Sequence, residues 1–222
     1  MPYLDGGAFT YAFVDLRGYG QSAGLTGEFT VREVASDCLR LADHLGWTDF
    51  HVIGHSMTGM MTQRIAADAP LRVKSAIAVC PVSAAGNRLS PEARTFFESA
   101  MQDNEALARL FKFVTGGLCD TWIDRKIRQN RETVASACRI KYLDMLVTAN
   151  FVDEVRGLET PFLVLVGDKD PGLDASAMER TFLAWHPNAQ LQVIPNCGHY
   201  PMEECPPYLA TVIESFLRQH ID

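Results

Sequence analysis

The stretch from Phe50 to Met61, Phe-His-Val-Ile-Gly-His-Ser-Met-Thr-Gly-Met-Met, constrains this chain more than any other. An apolar run enters Gly54, and a helix-like pattern begins three residues after Ser56. A serine between a strand and a helix, among small residues, is what a nucleophile elbow requires. So tight a turn holds its residues in strained backbone, which glycine tolerates best. In return the Ser56 hydroxyl stands above the sheet edge, at the positive end of the following helix. Small residues around a serine also occur in ordinary turns, so the reading depends on what accompanies them.

Taken in order, the chain alternates strands with helices. Phe9 to Asp15 is rich in aromatic and β-favouring residues and reads as a strand. Thr30 to Leu45 reads as a helix: Thr30 with Glu33 forms a capping box, Val34, Cys38, Leu41 and Leu45 make one stripe, and Gly46 ends it. The strand into Gly54 follows, then a helix to about Asp68 and a strand over Lys74 to Cys80. From about Val82 to Gly157 the pattern is wholly helical. Phe162 to Val166 then reads as a strand covered on both faces. A helix over Asp174 to Trp185, a short strand over Gln190 to Ile194 and a helix over Pro207 to His220 complete the chain. Such alternation implies a mostly parallel sheet flanked by helices, an α/β architecture.

Four segments together resemble the α/β-hydrolase family. The elbow Gly54-His55-Ser56-Met57-Thr58-Gly59 is similar to the family's Gly-His-Ser-Met-Gly-Gly, with Thr58 where the second glycine is usual. Asp15-Leu16-Arg17-Gly18-Tyr19-Gly20-Gln21-Ser22 resembles the family's loop after its fourth strand; Asp15 and Arg17 there read as parts of an Arg-centred hydrogen-bond network rather than as catalytic groups. Gly167-Asp168-Lys169-Asp170 and Gly198-His199 resemble the strand exits that carry its acid and its histidine. The resemblance implies an α/β-hydrolase fold with core residues 1–82, a helical cap over 83–157 and core residues 158–222. It also implies a triad of Ser56, Asp170 and His199 in the family's order. Asp168 competes for the acid's role, and the Gly-x-x-Asp spacing selects Asp170. His44, His51, His186 and His220 read as structural.

The residue types fit acyl transfer. A serine hydroxyl needs a base to take its proton, and an imidazole with an ordinary pKa near 6.5 can do so at neutral pH. A carboxylate fixes the ring's tautomer and stabilises the imidazolium. Relatives that open epoxides or displace halide use Asp at the elbow, so Ser56 points instead to esters, lactones and similar carbonyl substrates. The backbone N–H of Met57 is the expected oxyanion donor. The competing class is a non-catalytic ligand-binding or degenerate scaffold. The family's second donor loop precedes the strand at residue 9, where only eight residues stand. The resemblance therefore implies that part of the natural N-terminus is missing and that this chain is a weak or inactive hydrolase.

Composition excludes other classes. A net charge of −7 with scattered Lys and Arg argues against nucleic acid. No apolar run is long enough to cross a bilayer, and the N-terminus lacks a signal-peptide plan. The six cysteines form no Cys-x-x-Cys pair, so reduced thiols in a cytoplasmic protein are expected, with no metal and no cofactor. The expected partner is a small-molecule substrate, and exposed strand edges allow a homo-oligomer.

Overall fold

The computed structural model describes residues 2–221. Four parallel strands, β1 (Phe50–His55), β2 (Val73–Val79), β3 (Phe162–Gly167) and β4 (Ala189–Ile194), lie side by side in that order. Helices α1 (Val31–His44) and α2 (Met57–Asp68) flank β1 in the chain. Five helices separate β2 from β3: α3 (Pro91–Gln102), α4 (Asn104–Val114), α5 (Asp120–Thr133), α6 (Ser136–Thr148) and α7 (Val152–Val155). Then come α8 (Ala175–Arg180) and α9 (Phe182–Trp185) between β3 and β4, and α10 (Pro201–Glu204) and α11 (Pro206–Leu217) after β4.

Successive side chains on a strand point to opposite faces, and both faces of this sheet are covered. Ala76, Ala78, Phe162, Val164 and Val166 pack into one core with α1, α2 and α9. Ile77, Val79, Leu163 and Leu165 pack into the other with Leu209, Ile213 and Phe216 of α11. This is why β3 reads as an unbroken apolar run. The inserted helices hold a third core of their own around Leu107, Phe111, Ile123 and Ile127.

Expectation and structure differ at three places. The helix after Ser56 starts at once, at Met57, with Ser56 as its N-cap. The helix expected over Asp174 to Trp185 is two short ones, broken at Thr181 (φ −121°, ψ −88°). The third difference concerns Phe9 to Asp15, which is not a strand. Residues 9–15 have no regular secondary structure, and 10–15 make no backbone–backbone hydrogen bond. Strand character belongs to a pair, and β1 bonds only β2 among the described residues. Between the segment and β1 lies a cavity of ≈ 670 Å³, lined by Phe9, Tyr11 and Phe13 on one side and Val52 and Ile53 on the other. The α1 stripe Val34, Cys38, Leu41 and Leu45 also faces it, which explains why Leu45 remains 43% exposed.

One buried histidine gives the fold a pH dependence. His186 is 1% exposed, stacks on Phe162 with ring centroids 4.5 Å apart, and shares a 3.1 Å hydrogen bond between its Nε2 and Gln63 Oε1. Burial lowers its pKa to about 4. Below an unfolded value of about 6.5, the unfolded chain takes up a proton that the folded one refuses, so stability falls as pH falls. From pH 7 to pH 5 this site alone removes about 2 kcal/mol. Urea unfolding should therefore show a steeper acid loss in the wild type than in His186→Gln by about that amount. Equal acid limbs would remove His186 as the cause.

Candidate active site

Three strand ends converge at one end of the sheet. β1 delivers Ser56, β3 delivers Asp170 and β4 delivers His199, each in the loop that leaves its strand. Open α/β sheets place their sites at such carboxyl ends.

Ser56 occupies a backbone conformation (φ 55°, ψ −116°) that L-residues rarely adopt. Such strain costs on the order of 1–3 kcal/mol and persists only where the surroundings enforce it. Two glycines make the enforcement possible. A Cβ on Gly54 would lie 2.1 Å from the Thr58 carbonyl oxygen, and one on Gly59 would lie 2.4 Å from Pro81 Cβ. Thr58 is tolerated in the glycine's place because its hydroxyl folds back on the turn. Its Oγ1 accepts from the His55 N–H and donates to the His55 carbonyl, both at 2.8 Å. The Ser56 N–H bonds Val79 and its carbonyl accepts from Val82, so the elbow is tied to the end of β2.

The three expected side chains meet. His199 Nε2 lies 2.9 Å from Ser56 Oγ, and His199 Nδ1 lies 2.6 Å from Asp170 Oδ2. The other carboxylate oxygen of Asp170 accepts from the N–H groups of Gly172 and Leu173, each at 3.1 Å. Asp170 is 5% exposed and His199 9%. Burial opposes the Asp170 charge, yet the bond and charge of His199 and the two amides outweigh it and hold its pKa below the usual carboxylate range. Asp168 has a different task. Its Oδ1 accepts from the Cys197 N–H at 3.1 Å, joining the exits of β3 and β4. The Met57 N–H opens α2 and has no acceptor among the described residues.

The donor atoms of Cys80, Asp170 and His199 lie within 4.8 Å of one another. Each already has a partner: the imidazole and carboxylate bond each other, and Cys80 Sγ faces the Gly198 carbonyl at 3.7 Å. All six cysteines are free thiols. An Arg17-centred network is present, with the guanidinium bonding Asp37 Oδ1 at 2.9 Å and the Thr26 carbonyl at 2.7 Å, but Asp15 lies outside it and accepts from the Gln21 N–H at 2.9 Å.

Two neighbours, His55 and Glu204, have roles that the sequence did not assign. His55 Nε2 lies 2.6 Å from the His199 carbonyl, which fixes this nitrogen as the N–H donor. Burial and the nearby His199 lower the His55 pKa to about 3, so the ring is neutral. Glu204 accepts from the N–H groups of Gly198, Tyr200 and Gly116. Only its closeness to Gly198-His199 hinted at such a link.

The family profile for the α/β hydrolase fold matches residues 1–206. The chain is 27% identical over 228 residues to the dihydrolipoyllysine-residue acetyltransferase component of the acetoin cleaving system of Pseudomonas putida, covering 93% of this chain and 56% of that protein. It thus spans about half the length of that relative. It is 26% identical over 226 residues to the pimeloyl-[acyl-carrier protein] methyl ester esterase of Yersinia enterocolitica, covering 95% and 84%. Among solved structures, a membrane phospholipase A described as a bacterial virulence factor aligns with a TM-score of 0.75 at 26% identity, covering 92% of this chain and 68% of that one. With a profile match over most of its length and a parallel sheet flanked by helices, the chain belongs to the α/β hydrolase fold family.

Proposed function

We propose that this chain is a serine hydrolase that cleaves an ester, lactone or similar carbonyl bond of a small, fairly apolar substrate. The observation that carries the reading is the unbroken contact series Ser56 Oγ, His199 Nε2, His199 Nδ1, Asp170 Oδ2. His199 takes the hydroxyl proton as Ser56 Oγ bonds to the carbonyl carbon. The resulting oxyanion receives the Met57 N–H. Collapse expels the alcohol, which leaves with the proton from His199, and an acyl-enzyme remains. Water attacks that ester by the same steps in reverse, releasing the acid and restoring Ser56.

The helices α3 to α6 act as a cap in this reading, with residues 83–157 as a separate unit roofing the site. Support comes from Phe111 and Trp122, which pack with Tyr200 beside His199. An apolar wall there suits an acyl or alkyl group. The esterase named among the relatives supports the bond type. Neither metal nor cofactor enters the scheme, and a cytoplasmic setting would suit six free thiols.

The test is pre-steady-state turnover of a short-chain p-nitrophenyl ester. A serine hydrolase with slow deacylation releases p-nitrophenol in a burst equal to the enzyme concentration, followed by steady turnover. A protein that binds such compounds without releasing p-nitrophenol would be a ligand-binding member of the fold instead.

A further inference from the structure

The loop that carries His199 has every nearby backbone group claimed. The Gly198 and Tyr200 N–H groups donate to opposite oxygens of Glu204, at 2.8 and 2.9 Å. Between them, the His199 N–H donates to the Val114 carbonyl at 2.8 Å, and the His199 carbonyl accepts from His55. Val114 is the last residue of α4, in the inserted helices rather than the sheet domain. Two residues on, the Gly116 N–H donates to the same Glu204 oxygen that holds Gly198, at 2.9 Å. One carboxylate therefore joins two segments of chain that are far apart in sequence.

Glycines allow the two backbones to come so close. A Cβ on Gly198 would lie 2.5 Å from the Gly116 nitrogen and 2.6 Å from the Val114 carbonyl oxygen. A Cβ on Gly116 would lie 2.9 Å from Glu204 Oε2. Hydrogen bonds to a carboxylate are roughly twice as strong as neutral ones. Glu203, its neighbour, is turned the other way, toward Trp122 and Lys126 of α5 at 2.6 and 2.5 Å.

We propose that Glu204 is a positioning residue, through which the turn after α4 forms part of the mount of His199. The proposal rests on the reading of His199 as the base. Its consequence is mechanical: the inserted helices cannot lift at the 114–117 turn without loosening the histidine. The seating of that turn sets the reach of His199 Nε2 to Ser56, and a misplacement of about 1 Å is worth up to about 10²-fold in rate.

Glu204→Gln tests this with little change of shape. The amide keeps one acceptor oxygen but presents an NH₂ group to an N–H that needs an acceptor. Amide exchange should accelerate at the N–H groups left facing the NH₂, either Tyr200 or the pair Gly116 and Gly198, while kcat on an ester falls roughly 10- to 100-fold with KM nearly unchanged. Glu204→Ala should go further in the same direction, and where it fails to fold the Gln variant alone decides. Glu203→Gln is the control: it should speed exchange in α5 and leave kcat within about twofold. Unchanged exchange at the three amides would overturn the mount. So would faster exchange with unchanged kcat, because the loop would then not position the base. A wild-type protein without ester turnover would break the hydrolase reading instead, and the exchange measurement would still decide whether Glu204 joins the two segments.

Discussion

Ser56→Ala is expected to lower kcat on a p-nitrophenyl ester by a factor of about 10⁶, with KM little changed. The hydroxyl is the one group His199 Nε2 touches that can form an acyl bond. Removing it leaves nothing for the base to activate. Residual acceleration, on the order of 10³ over water, would come from binding and from the Met57 N–H. Alanine keeps the Cβ, so the backbone at 56 retains its strain and the fold should melt as before. A loss smaller than about tenfold would mean that another nucleophile operates.

Asp170→Asn is the second large effect, at roughly 10⁴ in kcat. In the wild type the carboxylate accepts from Nδ1–H, which leaves Nε2 with a lone pair toward Ser56. An asparagine can turn its NH₂ toward the ring, and Nδ1 then becomes the acceptor. The proton moves to Nε2, which now donates toward Ser56 and cannot take its proton. Asp168→Asn should cost less than about tenfold, because an amide oxygen still accepts from Cys197. A larger loss at Asp168 than at Asp170 would reverse the assignment of the acid.

The candidate site was legible because its side chains lie in short segments that leave strands. Gly54 and Gly59 stand where backbone contacts forbid a side chain, and Gly-x-x-Asp spacing picks the carboxylate that reaches the ring. Buried strands were legible for a similar reason, since burial on both faces writes an unbroken apolar run. What failed depended on distant partners. Phe9 to Asp15 has strand-forming residues, yet pairing needs a neighbour, and a cavity stands where one would lie. Thr181 breaks a helix without a proline or glycine to announce it. Glu204 stands close after Gly198-His199 in the sequence, but its link to the 114–117 turn is not written there, because the third donor, Gly116, comes from a distant segment. Only folding brings Gly116 to that carboxylate.

In the proposed function Ser56 is a nucleophile activated by His199. The most direct test of that role is reaction with a fluorophosphonate, followed by digestion and mass mapping of the adduct. One adduct per chain is expected, on Ser56, formed in the wild type and lost in His199→Ala. An unlabelled wild type, or an adduct on any other residue, would contradict that role.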